Sequence, residues 1–393
     1  MSQTWNQFVV KKENKTLVLE TVKSKSPLSR ADIAQFTGLN KGTVSSLVSE
    51  LIDEKLIYES GPGKSSGGRR PVMLYFNEVA GYSIGIDLGV NYLLGILTDL
   101  NGNIINEKTI KFKDENYQKI EGFLFEIIEF LQNAAPSSPY GIIGIGVGVP
   151  GIVNNDGEIL IAPNLGWKQI HLKTIIEDKY HIPVVIENEA NAGAYGEKKF
   201  GAGEKFENII YVSVGIGIGV GFILDGSLYK GKNGSSGEMG HMTIEVNGLP
   251  CSCGNQGCWE LYASEKAVLR KAEQQIFLSS NQELSLDALN SLAIQGDKGT
   301  IRLFEEIGDY LGVGINNIIN TFNPEQVIIG NRIASLKDWI IEPIESRTQK
   351  SLLDYQQKDL CINFSQLSIY SAALGVVAFS IENFLKIELV ENK

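Results

Sequence analysis

The chain has 393 residues, enough for two or three domains, and 43% of them are apolar, enough for a real core throughout. Its longest apolar run, residues 209–224, is interrupted by glycines and falls short of the ~20 residues of a membrane span; no charged start leads into an apolar run and a small-residue cleavage site, so a soluble cytoplasmic protein is expected. The net charge of −11 is uneven, +3 over residues 1–80 and −14 over the rest, a balance suited to a DNA-contacting head on an acidic body.

Residues 15–25 predict a helix with Leu17, Val18, Leu19 and Val22 on its apolar side. Ser29 then serves as N-cap of a short helix carrying Ile33, Ala34 and Phe36, and Gly38 ends it. Asn40 caps a second helix whose Val44, Leu47, Val48, Leu51 and Ile52 form one core-facing stripe. Helix, glycine-containing turn and helix make a helix-turn-helix. Lys41, Thr43, Ser45, Ser46 and Ser49 lie on the outer side of the second helix, small polar groups and one cation suited, with Asn40 at its start, to base edges and phosphates in a major groove. Taken alone, such a surface is also an ordinary solvated helix face. The continuation favours DNA: Leu56–Tyr58 and Val72–Phe76 read as two strands around the basic tip GPGKSSGGRRP, a wing whose Lys64, Arg69 and Arg70 reach phosphates or the minor groove. Residues 1–76 are therefore expected to form a winged helix-turn-helix that binds operator DNA.

From Gly81 the texture changes to strands and glycine. Residues 84–105 and 211–230 share one layout: apolar strand, Gly turn, apolar strand, then an Asp and Gly turn. This internal duplication predicts an α/β, bilobal fold like that of actin and the hexokinases. Between the repeats, residues 141–153 read as a buried strand running into a Pro-Gly turn, and APNLGW follows at 162–167. Residues 183–197 read as a strand and then a helix opening with Asn188, Glu189 and Asn191. Polar groups at such a junction commonly face the interlobe cleft; Asn188 or Glu189 can equally serve only to cap the helix.

Residues 237–260, GEMGHMTIEVNGLPCSCGNQGCWE, hold three of the four cysteines, Cys251, Cys253 and Cys258, with His241 ten positions before the first. One imidazole and three thiolates complete a tetrahedral structural zinc set that leaves no position open for catalysis. A chance cluster of free thiols is the alternative; disulfides would leave one cysteine over. Glu238 and Glu260 bracket the cluster, so the metal shapes a pocket.

In this order, the Asp87-Leu88-Gly89 turn, the VPG turn, the N-E-A-N box, E-M-G-H and CSCGNQGCWE make the chain resemble the ROK family of bacterial sugar kinases and sugar-responsive repressors, over roughly residues 80–385. The helix-turn-helix marks the repressor branch, and SSGGRRPVML with IENEANAGAYGE brings the likeness closest to its xylose-responsive members. The resemblance implies one lobe over 80–185, with a C-terminal helix at about 371–388 returning to it, and a second over 186–370 carrying the zinc segment. It implies a sugar site of Asn188, Glu189, Glu238, His241 and Glu260, with Asn164 and glycine-lined access near Gly151 as weaker members. His241 would serve both metal and sugar. Kinase members carry a Gly-Gly-Thr type turn, a Gly-Thr-Gly loop and a nucleotide glycine where this chain has Val90-Asn91, Ile216 and Asn331-Arg332. The family's general base, an Asp, is Glu189 here, a longer side chain able to fill the place of the sixth carbon that xylose lacks. The resemblance thus implies a homodimeric repressor on a palindromic operator, released by xylose, with no catalytic residues and no ATP. Glucose, N-acetylglucosamine or a protein partner are alternative releasing signals, and a sugar kinase is the remaining rival.

Overall fold

The computed structural model describes residues 7–62, 71–275, 284–358 and 360–387. The head opens with α1 (Gln7–Lys25), α2 (Arg30–Thr37) and α3 (Lys41–Asp53). Ser29 caps α2 in a reciprocal box with Asp32, Gly38 closes it in the left-handed conformation, and Asn40 caps α3 through the Thr43 amide. Strands β1 (Ile57–Pro62) and β2 (Val72–Phe76) pair antiparallel as the wing. Two side chains expected in the head's core are exposed. Leu17 faces water because α1 begins at Gln7 and its buried stripe is Val18, Leu19 and Val22. Phe36 lies on the surface with Lys25 Nζ 4.0 Å from its ring centroid, a cation–π contact in place of burial.

The body's first sheet comprises β3 (Tyr82–Leu88), β4 (Tyr92–Thr98), β5 (Ile104–Lys111), β6 (Ile142–Val149) and, after the small ribbon β7 (Ile152–Val153), β8 (Ile159–Ala162) and β9 (Trp167–Ile170), β10 (Val184–Asn188). Helices α4 (Tyr117–Ala134) and α5 (Leu172–Tyr180) cover one face of it. Next come α6 (Glu189–Phe200) and the second sheet's β11 (Ile209–Val214), β12 (Ile218–Leu224) and β13 (Ser227–Tyr229). Helices α7 (Glu260–Ala263), α8 (Glu265–Gln275), α9 (Leu286–Ile294) and α10 (Lys298–Phe322) follow, then β14 (Gln326–Gly330), α11 (Lys337–Ser351), α12 (Asp354–Gln357), β15 (Cys361–Phe364) and α13 (Ser371–Ile387).

The two sheets have one topology. β5-β4-β3-β6-β10 and β13-β12-β11-β14-β15 each pair antiparallel twice and then parallel twice. The sequence duplication is thus a duplication of a whole sheet. The first sheet runs to Asn188, three residues beyond 185, because β10 stays in parallel register with β6 up to Val149.

Helices α6 and α13 lie as a crossed pair between the sheets. α13 rests on the first sheet at Gly85, where a Cβ would come 2.3 Å from the Ala373 carbonyl oxygen. It crosses α6 at Gly375, where a Cβ would come 1.7 Å from the Ala192 carbonyl oxygen. Only glycine permits backbones that close. α13 belongs to the segment Ser368–Lys386, long and apolar enough by composition to cross a membrane, yet its Ala373, Val376, Val377 and Ile381 are buried in this interior.

The head has no core separate from the body. Val18, Leu47, Leu56 and Phe76 join Leu94, Ile96, Ile143, Val377 and Phe384 in one buried cluster. Tyr140 Oη donates to the Glu54 carbonyl at 2.8 Å, just past the end of α3. Glu382 of α13 accepts from Tyr195 Oη at 2.7 Å and pairs with Lys199 Nζ at 2.7 Å, both on α6. Burial raises this carboxyl, but the hydrogen bonds from Lys199 and Tyr195 prevail and hold it below its ordinary range.

Candidate functional site

The cysteine segment folds as a compact knuckle. Cys251 N donates to the Asn255 carbonyl at 2.9 Å, and Gly254 N donates to the Cys251 carbonyl at 3.0 Å. A Cβ on Gly257 would come 1.7 Å from the Glu245 carbonyl oxygen, so the return of the chain requires glycine there. The ligand atoms of His241, Cys251, Cys253 and Cys258 all lie within 4.8 Å of one another. Cys253 Sγ to Cys258 Sγ is 3.7 Å, and Cys251 Sγ to His241 Nδ1 is 3.6 Å. A tetrahedral metal with ~2.3 Å bonds to sulfur sets its ligands about 3.8 Å apart, so this set fits a metal ion. The spacing is far beyond the ~2.05 Å of a disulfide. Burial pushes the Cys258 thiol up to about 12, so metal uptake here must displace a proton.

Trp259 fixes the knuckle to the second lobe. It is fully buried, donates Nε1–H to the Tyr310 carbonyl at 2.8 Å, and lies against Gly314 of α10. Glu260 follows it. Its Oε1 lies 3.5 Å from both His241 Nδ1 and Cys251 Sγ, and a Cβ on Gly217 would come 2.8 Å from its Oε2. The β11–β12 turn therefore shapes the space beside this carboxylate. Glu238 stands at the outer edge of the group, its carboxyl raised by the surrounding protein, with His241 lowering it and Glu260 raising it.

Asn188 and Glu189 sit at the β10–α6 junction. Asn188 caps α6: its Oδ1 accepts from the amides of Ala190 at 2.8 Å and Asn191 at 3.1 Å, and its Nδ2 donates to the Gly151 carbonyl at 2.8 Å. Capping thus uses most of its polar capacity and leaves one N–H. Gly151 is half-buried, and the Ile161 carbonyl oxygen lies 2.3 Å from where its Cβ would be, so the approach of the two backbones requires glycine. Asn164 is exposed in a short turn, and among the described residues no hydrogen bond ties it to the other candidates. Glu189 faces Asp87 across a small, partly open cavity also lined by Tyr211, Ser213, Asn331 and Ser371. Asp87 Oδ2 accepts from Tyr92 Oη at 2.6 Å, and its buried Oδ1 has no partner among the described residues.

The positions that the resemblance assigns to the phosphate and nucleotide loops of kinase members carry their own contacts. Tyr92 lies over Gly89, so close that a Cβ there would meet its ring at 2.1 Å. Asn331 keeps a backbone only glycine adopts readily, φ 65° and ψ −159°, and its Nδ2 donates to Ser213 Oγ at 3.1 Å. Arg332 Nη1 pairs with Glu265 Oε1 at 3.1 Å.

In the head, Asn40, Lys41, Ser45 and Ser46 are exposed along α3 and Thr43 is half-buried. Asn40 Oδ1 accepts from the Thr43 amide at 2.8 Å, so its oxygen is used within the helix. Lys64, Arg69 and Arg70 lie outside the described residues. Sequence reasoning missed two groups at the body site. The Asp87–Glu189 apposition joins two motifs read separately, and Lys230, paired with Glu187, belongs to no motif.

Comparison with known proteins follows the same lines. The chain is 46% identical to the xylose repressor of Bacillus subtilis over 97% of its own length and 98% of that protein. It is 31% identical to a glucokinase of Streptomyces coelicolor, over 70% of this chain and 89% of that one. The crystal structure of a ROK family transcriptional regulator, a homologue of the E. coli MLC protein, superposes with a TM-score of 0.82 at 29% identity, over 97% of this chain and 99% of the other. The ROK family profile matches residues 83–383, and the chain belongs to the ROK family.

Proposed function

We propose that the chain is a transcriptional repressor that leaves its operator when xylose binds the interlobe cleft. One observation carries this reading: the likeness to a xylose repressor runs through head and body alike, at 46% identity over 97% of the chain, whereas the glucokinase match covers 70%. In this reading a homodimer places two copies of α3 in successive major grooves, with Lys41 and the wing on phosphates. His241, Cys251, Cys253 and Cys258 would hold a zinc ion, which when bound would supply a rigid cross-link between these segments. The residues around it do the recognition. Glu260 and Glu238 accept paired sugar hydroxyls, the free N–H of Asn188 donates to another, and Glu189 closes the far side. Asn164 is a peripheral contact at most.

The chain does not phosphorylate its sugar in this reading. Tyr92 and Asn331 occupy the ground beside Asp87 and Ser213 with side-chain hydrogen bonds, and Arg332 is committed to Glu265. Sugar favours a lobe arrangement that spaces the two heads badly, and by linkage operator DNA weakens sugar binding by the same factor. The test is a gel-shift titration on a palindromic operator upstream of xylose-utilisation genes. Millimolar xylose should raise the midpoint at least about tenfold, a coupling free energy of ~1.4 kcal/mol. An unmoved midpoint refutes induction by xylose. A coupled assay with ATP and sugar should show no turnover, and a rate above ~1 s⁻¹ refutes the non-enzymatic part.

A further inference from the structure

Glu187 precedes the sugar box by one residue and is 2% exposed. One of its oxygens, Oε1, accepts from the Asn188 amide at 3.0 Å and from Asn191 Nδ2 at 3.2 Å. The other, Oε2, takes Lys230 Nζ at 2.6 Å. The carboxylate ends a strand of the first sheet, while Lys230 directly follows β13, the edge strand of the second. Lys230 is the cation recorded against Glu187 among the described residues. The chain after Lys230 stays against the first lobe. Asn155 Nδ2 donates to the Lys232 carbonyl at 3.3 Å, and a Cβ on Gly234 would come 2.1 Å from the Val153 carbonyl oxygen. It then runs directly into Glu238 and His241.

One ion pair therefore touches both halves of the proposed sugar site. On one side it fixes the carboxylate that holds Asn188 and Asn191. On the other it anchors the segment that delivers Glu238. A carboxylate this buried is costly to leave without its cation. Without the cation, neither the carboxylate that orients Asn188 and Asn191 nor the segment leading to Glu238 keeps its anchor. We infer that Lys230, acting through Glu187, is a positioning residue that sets the two halves of the sugar site against each other across the lobes. This rests on the reading of the cleft as a sugar site.

The test uses the full-length, metal-loaded protein and its variants Lys230→Met and Lys230→Arg. Xylose affinity is measured by calorimetry, operator affinity without sugar by gel shift, and bound metal by atomic absorption. Lys230→Met should weaken xylose at least about tenfold, as expected when the charged partner of a buried carboxylate is removed. Sugar-free operator affinity and metal content should stay at parent values. Lys230→Arg, which keeps the cation, should restore xylose affinity to within about threefold of the parent. A general loss of structure would move all three measurements together and would not be rescued by the charge alone. If Lys230→Met does not fold, Lys230→Gln carries the same prediction. Parent-like xylose affinity in the neutral variant, or equal losses in Arg and Met, overturns the inference. A parent that binds no xylose overturns the sugar reading itself, a separate result.

Discussion

Replacing Glu189 by Gln should stabilise the sugar-free protein, and only at neutral to alkaline pH. Burial first, and then the charge of Asp87, raise the Glu189 carboxyl from 4.5 to about 8. Burial raises Asp87 to about 6 against the hydrogen bond from Tyr92, which pulls it down. Tyr211 lines the same cavity, and Arg332 is held by Glu265. The folded chain thus binds protons here more tightly than the unfolded chain. The stabilising contribution is fully present below about 4.5 and is lost as pH rises through 6 to about 8. Moving one carboxyl from 4.5 to about 8 corresponds to ~5 kcal/mol at ~1.4 kcal/mol per tenfold change in proton affinity. The repulsion is shared with Asp87, which relaxes when its neighbour is neutral, so about half, ~2–3 kcal/mol, should be recovered. Scanning calorimetry of parent and variant from pH 5 to 9 should give matching midpoints at the acid end and a variant higher by several degrees, roughly 2 °C per kcal/mol, at the alkaline end. A difference that does not vary with pH, or a variant less stable than the parent at pH 8.5, refutes the reasoning.

Gly217→Ala should push the Glu260 carboxylate aside, because a Cβ would lie 2.8 Å from Oε2; xylose binding by calorimetry should weaken while bound metal is unchanged. Cys258→Ser should lose the metal and lower the thermal midpoint, and a strong chelator on the parent should produce the same drop, reversed by added zinc. Gly314→Ala would put a Cβ 2.0 Å from the Trp259 ring, and denaturant unfolding should show a loss of at least ~2 kcal/mol. Lys41→Ala should reduce the slope of log operator affinity against log salt by about one, the loss of one phosphate contact, with sugar response intact.

Local chemistry made much of this molecule legible. Ser29, Gly38 and Asn40 announce helix ends through side chains that reach only three or four residues, so the helix-turn-helix could be read directly. The repeated hairpins pointed to two equivalent sheets for the same reason, and the cysteine spacing reflects a knuckle closed within one short segment. Contacts between distant segments were not legible. Apolar spacing cannot tell Phe36 on the surface from Ile33 in the core, since both fit a helical face. Lys230 reads as a solvated loop cation until the second sheet's edge brings it to Glu187. Asp87 and Glu189 each belong to a recognisable motif, but their apposition arises only when the two sheets are set about α6 and α13. The ambiguity over Asn188 resolves in a similar way, since its oxygen caps α6 while its amide still reaches Gly151.

The placement of α13 has a consequence for the protein's synthesis. The inner face of the first sheet, the open side of α6 and the seat of the DNA head are all covered by residues 371–387. While the chain is still emerging from the ribosome, those surfaces have nothing to close on, and segments fold as units only when their partners are present. Reading and sensing therefore mature together only once residues 371–387 have been made. A chain cut short before Ser371 should be cleared as a misfolded product, and cells carrying such an allele should resemble a deletion and not show permanent repression.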